Sequence, residues 1–441
     1  MGAVFSTSNP RNSVEERGDM PQGAACKRQK LSSSFSDELE RLIPSLPDEL
    51  SMQILARIPR IRYLSLKLVS KRWMAAIMDH ELYKTRKELQ TSEEWLYLLT
   101  RSQGNNELLW YALDPTSKSW QKLPPMPKLS SLEDARRPLW NMAILAETIK
   151  QWLGKRHSPD KQPFCGSAIG AAEGCLYVIG GFFNQSTMNC AWKFDPIQNK
   201  WSKTVPMLTG RAYCKTELLN NKLYVVGGVS QTREGLTTLQ SAEVFDPSTT
   251  SWSPVPNMPF SRAQMMPTAF LNVMLKPLAT GMASYKGKLH VPQSLYVWPF
   301  IVDAGGEVYN PETDSWEEMP AGMAEGWPAR KAGTKLSVVV DGKLYAFDPS
   351  SSRESGKVMV YDAGDDAWKV ATEKVPVCDF AADECPYLLA GFHRRIHVVT
   401  KDERSRTVVM QADPTEASGW KAVACRHFGS SELVSCQVLD V

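Results

Sequence analysis

The chain has 441 residues, 22% of them charged, with a formal net charge of +3 spread along its length. That length allows a large core and more than one domain, and so small a charge does not indicate nucleic-acid binding. The sequence has no apolar stretch as long as a membrane span and no signal-peptide core near Met1, so it predicts neither a transmembrane helix nor secretion. Nine cysteines without a C-x-x-C pair favour a reduced protein of the cytoplasm or nucleus over disulfides or a metal site.

Residues 1–40 are rich in Ser, Asn, Arg and Glu and lack periodicity, so we expect a disordered N-terminal segment. Gly2 stands in the pattern M-G-x-x-x-[ST], which is the signal for N-myristoylation. One acyl chain alone gives only weak membrane association. The basic run at 27–30 (KRQK) indicates either a nuclear localisation signal or a solvated charged segment.

Residues 41–88 are predicted to form a small helical domain. We expect Ser45 to cap the first helix, with Pro47 just inside it. The apolar positions of this helix recur on one face at helical spacing: Leu46, Leu50, Ile54, Leu55 and Ile58. A second apolar segment covers residues 63–73, and Ser70 is expected to cap a third helix. So small a unit is not very stable alone.

Residues 93–441 consist of a repeated unit. A short apolar strand ends in Gly-Gly, at Gly180–Gly181 and again at Gly227–Gly228, and a later strand ends in Asp-Pro or its equivalent shortly before a Trp. This Asp/Asn-to-Trp interval recurs six times, with Trp at positions 120, 201, 252, 316, 368 and 420. The period is near fifty residues with two insertions, which is the kelch range, and such a unit must stack on copies of itself. The sequence therefore resembles a six-bladed kelch β-propeller, a mainly β fold.

Each part of the repeat has a physical role. Gly-Gly permits positive φ or close backbone approach. The Asp of each turn can accept from the backbone two residues on, and the Trp is large enough to fill the gap between blades. The first blade has room for only three strands, and the alternating tail Glu432–Val441 can supply its fourth strand and close the ring.

Two insertions interrupt the repeats. The first, at 128–163, contains Leu139–Leu153, an amphipathic helical pattern. This helix either packs over the propeller or forms a surface for a partner. The second insertion, near 264–277, is apolar and rich in Met, and we expect it to cover the end of a blade.

The helical region resembles an F-box, because LPDELSMQILARIP is followed by LSLKLVSKRWMAAI. An F-box directly before kelch repeats resembles the plant F-box/kelch-repeat family, and together the two regions cover nearly all of residues 44–441. The resemblance implies a substrate receptor of an SCF-type ubiquitin ligase. Its F-box would bind a Skp-type adaptor, and through it a cullin, while its propeller would bind the protein to be ubiquitinated.

The resemblance also implies which residues bind the adaptor. The positions that match the family's motif are Leu46, Pro47, Ile54, Leu55, Leu68, Val69 and Trp73. The alternative is that these side chains only fill the core of the F-box, and for Trp73 both roles are open. An apolar surface left exposed on so small a helical unit favours a partner site.

A substrate site is expected where the loops between blades meet the loops that follow Gly-Gly. Arg211, Arg262 and Arg330 each stand in a loop between blades. Three guanidinium groups at one mouth would suit an acidic peptide, because Arg makes bidentate contacts with carboxylates. The alternative is that each Arg binds loop carbonyl oxygens of its own chain.

Two other classes of function compete with a receptor. Copper radical oxidases also resemble kelch propellers, but they need clustered Tyr, His and Cys ligands, and this chain has six His and no recognised catalytic motif. We therefore expect no active site and no cofactor. A scaffold or cytoskeletal kelch protein would explain the propeller but leave the F-box without a role.

Overall fold

A computed structural model describes the chain in segments. These are residues 41–104, 107–127, 164–183, 186–232, 235–259, 277–297, 300–327, 337–348, 356–375, 387–412 and 419–441. The N-terminal segment with Gly2, and the insertion at 128–163 with its predicted helix, lie outside the described residues.

The N-terminal part is helical. Its elements are α1 Asp48–Ala56, a 3-10 helix Arg60–Arg62, α2 Tyr63–Leu66, α3 Lys71–Ile77 and α4 His80–Glu88. Ser70 accepts a hydrogen bond from the Trp73 backbone nitrogen at 3.1 Å, which confirms the predicted cap of α3. The predicted cap at Ser45 was wrong, because Ser45 has φ of 67° and Pro47 occupies the position before α1. The core of this unit is small: Leu55, Ala56, Tyr63, Ile77 and Leu82.

The rest of the chain forms six antiparallel blades. Blade 1 contains β1 Glu94–Ser102, β2 Leu108–Leu113 and β3 Trp120–Lys122. Blade 2 contains β4 Ala168–Ala172, β5 Cys175–Ile179, the hairpin β6 Phe182–Phe183 and β7 Ser186–Thr187, β8 Ala191–Asp195 and β9 Lys200–Thr204. Blade 3 contains β10 Lys215–Leu219, β11 Lys222–Val226, the hairpin β12 Val229–Thr232 and β13 Gly235–Thr238, β14 Ala242–Asp246 and β15 Ser251–Val255.

Blade 4 contains β16 Leu278–Ala279, β17 Ala283–Tyr285, β18 Lys288–Val297, β19 Phe300–Asn310 and β20 Ser315–Glu318. A short helix that the sequence did not predict follows it, α5 Ala321–Glu325. Blade 5 contains β21 Ser337–Val340, β22 Lys343–Asp348, β23 Gly356–Asp362 and β24 Ala367–Val375. Blade 6 contains β25 Tyr387–Phe392, β26 Arg395–Lys401, β27 Thr407–Ala412 and β28 Trp420–Arg426. The last strand of the chain is β29 Ser431–Asp440.

The C-terminal strand closes the ring. Strand β29 pairs with β1 and becomes the innermost strand of blade 1, as the alternating tail predicts. It also contacts β4 and β25, the innermost strands of the blades on either side, so no gap separates the first blade from the last. Closure removes the exposed sheet edges that an open array would leave.

The repeated turns and glycines behave as predicted. The Asp195 carboxylate accepts from the backbone of Ile197 at 2.8 Å, and four other blades repeat this contact two residues after their own Asp or Asn. Gly180 and Gly228 have φ of 63° and 85°. A Cβ at either glycine would lie within 2.5 Å of a backbone oxygen of the connection between blades 2 and 3. The strand-ending glycines are therefore required by both backbone angle and space.

Strand direction defines two faces of the propeller. Successive strands of a blade run antiparallel. The tight turns after the first and third strands therefore lie on one face, the turn face. The connections after the second strand, and those between blades, lie on the opposite face, the loop face.

In the part of the chain that the structure describes, no helix combines the length and apolar character needed to cross a membrane.

Candidate functional site

The helical unit exposes several large apolar side chains, which we call the apolar surface: Leu50, Ile54, Leu64, Leu68, Val69, Met74 and Met78. Leu68 is the most exposed of them, at 86%. Leu50 and Ile54 stand one turn apart on α1, and Met74 and Met78 are likewise one turn apart at α3. Several exposed aliphatic side chains on so small a unit are typical of a surface that a partner covers.

Four of the seven residues predicted for adaptor binding are exposed: Pro47, Ile54, Leu68 and Val69. Leu46 is half-buried. Leu55 is 0% exposed and belongs to the core, so it is unavailable to a partner. The prediction that Leu55 contacts the adaptor was therefore wrong.

Trp73 has a structural role in this fold. Its indole nitrogen donates to the carbonyl oxygen of Leu42 at 2.8 Å, and its half-buried ring packs against the core of the helical unit. The side chain therefore ties the segment before α1 to α3. Of the two roles left open by the sequence, these contacts favour the internal one.

Sequence reasoning missed part of the apolar surface. Leu50 was identified on the α1 face, but Leu64, Met74 and Met78 were not assigned to a partner site. The signal was present in the sequence, because Leu64 and Leu68 are four residues apart, as are Met74 and Met78. Both pairs repeat the spacing of an amphipathic helix, whose apolar side can face a partner as readily as the core.

The loop face is raised over blades 2 and 3. Hairpin β6–β7 rises from blade 2 and hairpin β12–β13 from blade 3. The two hairpins are joined, since the backbone nitrogen of Gln231 donates to the Thr187 hydroxyl at 3.0 Å. The Ser230 hydroxyl donates to the carbonyl oxygen of Gly210 at 2.6 Å. These contacts join the two hairpins to each other and to the connection between blades 2 and 3.

Arg211 does not offer a free guanidinium at this face. Its side chain is 0% exposed and forms a 2.5 Å ion pair with the buried carboxylate of Glu243. Its Nη1 also donates to the carbonyl oxygens of Gly227 and Ser241, at 3.1 and 2.9 Å. The prediction that Arg211 binds substrate is corrected on this ground. Arg262 and Arg330 lie outside the described residues.

Glu243 extends the same network. Its two oxygens also accept from the backbone nitrogens of Leu208 and Thr209, at 2.7 and 3.1 Å. Leu208 and Thr209 belong to the connection between blades 2 and 3, whereas Glu243 stands on β14 of blade 3. The pair of Arg211 and Glu243 therefore holds a connection between blades in place.

The central channel contains a cavity of about 170 Å³ between the innermost strands. Its lining includes Gly170, Thr216, Glu217, Val338, Gly391 and Gln437. The Thr216 hydroxyl and the Gln437 amide both donate to the carbonyl oxygen of Ile169, at 2.8 and 2.7 Å, and so join three blades.

Burial shifts the pKa values of several titratable groups of the propeller, among them one lysine and two histidines. Burial lowers the pKa of Lys215, the first residue of β10, to about 8. It also lowers the pKa values of His290 and His397 to about 4, so both imidazoles are neutral at pH 7.

Among the described residues, no group of three or more His, Cys, Asp or Glu side chains is placed to hold a metal ion.

Comparison with known proteins identifies both parts of the chain. Residues 43–85 match the F-box domain, and residues 163–208 and 210–259 match the Kelch motif. The first match covers α1 to most of α4, and the others cover blades 2 and 3.

Three plant relatives are named for the same two parts. An F-box/kelch-repeat protein of Arabidopsis thaliana is 53% identical, and the alignment covers 100% of both chains. A second F-box/kelch-repeat protein of the same plant is 29% identical over 69% of this chain and 64% of its own length. A third is 25% identical over 97% of both chains.

Proposed function

Because this chain belongs to the plant F-box/kelch-repeat family, we propose that it is the substrate-recognition subunit of an SCF-type ubiquitin ligase. The F-box binds a Skp-type adaptor and through it a cullin, and the propeller binds the protein to be ubiquitinated. The chain contributes proximity and orientation, and the bond-forming chemistry belongs to other subunits. It works in the cytoplasm, the nucleus or both.

The observation that carries this proposal is the apolar surface of the F-box. Leu68 is 86% exposed and Ile54 is 43% exposed, although both are aliphatic. Covering such side chains stabilises a complex by about 25 cal/mol for each Å² of apolar area removed from water. Pro47 and Val69 are exposed on the same unit and would add to that area.

The two binding sites are separated on the molecule. The F-box contacts the turn face, at the Asp195–Pro196–Ile197 turn of blade 2. The raised hairpins lie on the opposite loop face, and we propose that the substrate binds there. Arg262 and Arg330, which stand in connections between blades, remain proposed substrate contacts.

The adaptor site is tested by placing a charge on the apolar surface. Leu68→Glu is expected to abolish copurification of the Skp-type adaptor, because the carboxylate would be buried without a partner. The matched control is Leu208→Glu, since Leu208 is also an exposed leucine, at 60%, but lies on the propeller. Adaptor recovery that is equal for the two variants would contradict the proposal.

A second pair of variants separates contact from folding. Ile54→Ala is expected to weaken adaptor binding while leaving the thermal midpoint nearly unchanged. Leu55→Ala is expected to lower the thermal midpoint, because it removes about 2–5 kcal/mol of core packing. Equal loss of stability in both variants would place Ile54 in the core and contradict its role as a contact.

A further inference from the structure

One arginine of the F-box reaches two blades of the propeller. Arg60 begins the 3-10 helix between α1 and α2. Its Nη1 donates to the Tyr97 hydroxyl at 3.0 Å, and its Nη2 donates to the carbonyl oxygen of Pro196 at 2.8 Å. The guanidinium carbon also lies 4.8 Å from the centre of the Trp95 ring. Trp95 and Tyr97 belong to β1 of blade 1, whereas Pro196 belongs to a turn of blade 2.

Burial strengthens this contact. Tyr97 and Trp95 are each 1% exposed. Burial raises the pKa of Tyr97 above its ordinary value, so the phenol stays neutral and its oxygen accepts from Arg60. A guanidinium that stacks on an indole and donates two hydrogen bonds has little freedom to rotate.

Glu93 connects the same arginine to the helices. One carboxylate oxygen accepts from the Arg60 backbone nitrogen and from Nη2 of Arg86, both at 3.0 Å. The other accepts from the Trp95 indole at 3.1 Å. Arg86 is 1% exposed and also donates to the carbonyl oxygen of Ile58 at 2.8 Å. Glu93, in the segment that joins α4 to β1, is therefore hydrogen-bonded both to the helical unit and to β1.

The turn of blade 2 is contacted by further basic residues. The Lys67 ammonium donates to the carbonyl oxygen of Ile197 at 3.5 Å, and Nε2 of His80 lies 3.4 Å from the Asp195 carboxylate. Tyr83 of α4 packs against the hydrophobic core shared by blades 1 and 2. We call this set of contacts, centred on Arg60, the Arg60 junction.

The junction matters because ubiquitin transfer depends on distance. In the transfer, a lysine amine attacks the thioester that joins ubiquitin to its conjugating enzyme. A carbon–nitrogen bond forms, the carbon–sulfur bond breaks, the enzyme's thiol leaves, and the lysine loses a proton to solvent. The conjugating enzyme is held through the adaptor and cullin, so the angle between F-box and propeller decides which lysines it can reach.

We propose that Arg60 is a positioning residue, which fixes the orientation of the F-box on the propeller and thereby selects the lysines that receive ubiquitin. This inference rests on the proposed ligase function. The apolar surface and the loop face are both left intact by a change at Arg60. Removing the junction is therefore expected to change where ubiquitin is attached without abolishing adaptor binding.

The experiment compares Arg60→Ala with Arg62→Ala. Arg62 is the matched control, because it lies in the same 3-10 helix and is exposed. The full chain is purified with a Skp-type adaptor, and X-ray scattering measures the shape of the complex. A complete ligase is then assembled with cullin, conjugating enzyme and ubiquitin. Mass spectrometry maps the ubiquitinated lysines on the chain itself.

For Arg60→Ala we expect adaptor affinity within about twofold of the wild type, since the two sites are separate. Its scattering curve is expected to indicate a broader range of shapes, and ubiquitin is expected on additional lysines. Arg62→Ala is expected to match the wild type in both measurements. Identical scattering and identical lysine maps for the two variants would overturn the proposal.

A second variant covers the case in which Arg60→Ala does not fold. Tyr97→Phe removes one hydrogen-bond acceptor and keeps the ring in its core, so a smaller shift in the lysine map is expected. An unchanged map of ubiquitinated lysines for that variant, in a folded protein, would also count against the junction.

If the wild-type chain binds no adaptor and receives no ubiquitin, the proposed function fails. Scattering of the free chain still tests the junction in that case.

Discussion

Trp201 of blade 2 donates its indole hydrogen to the carbonyl oxygen of Pro124, which follows the outer strand of blade 1, at 3.0 Å. Later blades repeat the contact. Trp252, Trp316 and Trp368 donate to Val205, Pro256 and Met323, which follow the preceding blade, and Trp420 donates to Glu373 near the end of the outer strand of blade 5. The Trp120 indole of blade 1 has no such partner among the described residues. Between blades 6 and 1, Arg426 of blade 6 instead donates to the Trp120 carbonyl oxygen, at 2.6 Å.

The contrast between these two tryptophans predicts a difference in stability. Trp201 and Trp120 are almost equally buried, at 6% and 7%. Replacing either with Phe removes similar apolar area, but only Trp201→Phe breaks a hydrogen bond. We expect Trp201→Phe to cost about 1 kcal/mol more in the free energy of unfolding, as measured by denaturant titration. Equal losses would mean that the indole hydrogen bond contributes nothing.

The ion pair of Arg211 and Glu243 is predicted to be structural. Arg211→Ala leaves a buried carboxylate without its counter-charge, so we expect a loss of about 3–5 kcal/mol in the free energy of unfolding. The exposed Arg62, changed to Ala, serves as control and is expected to lose less than about 0.5 kcal/mol. A stable Arg211→Ala variant that no longer captures the degraded protein would instead restore Arg211 to the substrate site.

The C-terminal strand is predicted to be essential for the ring. Deleting Glu432–Val441 exposes an edge of β1 and removes the contacts of Cys436 with Leu389 and of Gln437 with Ile169. We expect a sharp fall in solubility and in the thermal midpoint. A synthetic peptide of the deleted strand, added during refolding, is expected to recover part of both. A soluble truncation with an unshifted midpoint would contradict this role for the tail.

The buried histidines predict a loss of stability in acid. His290 and His397 are 7% and 1% exposed, and burial lowers their pKa values from 6.5 to about 4. Between those values the unfolded chain binds more protons than the folded chain, so stability falls as the pH drops from about 6.5 to about 4. His397→Gln is expected to flatten that part of the stability curve. An unchanged slope in the variant would contradict the assignment.

The sequence motif at the N-terminus predicts acylation of Gly2. Expressed in plant cells with a myristate analogue, the wild-type chain is expected to carry the label, and Gly2→Ala is expected to lose it. One acyl chain gives only weak membrane association, so we expect a labelled chain that is partly recovered with membranes. The absence of label on the wild-type chain would contradict the prediction.

The sequence by itself determined the six blades, the cap of α3 and the closing strand. The reason is that these features are local or periodic. A turn of this kind needs Asp at one position, and a tight strand end needs Gly. Repeated units must stack on one another, whatever the angle between neighbouring blades. The spacing of Trp201 and its equivalents was therefore enough to count the blades. The alternating tail was enough to predict that the last strand joins blade 1.

Only the tertiary structure decided which side chains are free to act. Ile54 and Leu55 are adjacent in sequence and both aliphatic, yet one is exposed and the other lies in the core. Arg211 looked available because it stands in a loop, but Glu243 on a strand of the next blade neutralises and buries it. Arg60 carried no sequence signal, since its partners Tyr97 and Pro196 are brought to it by two different blades. The partners of Arg60 and Arg211 stand on other elements of the chain, and only the packing of the folded chain brings them together.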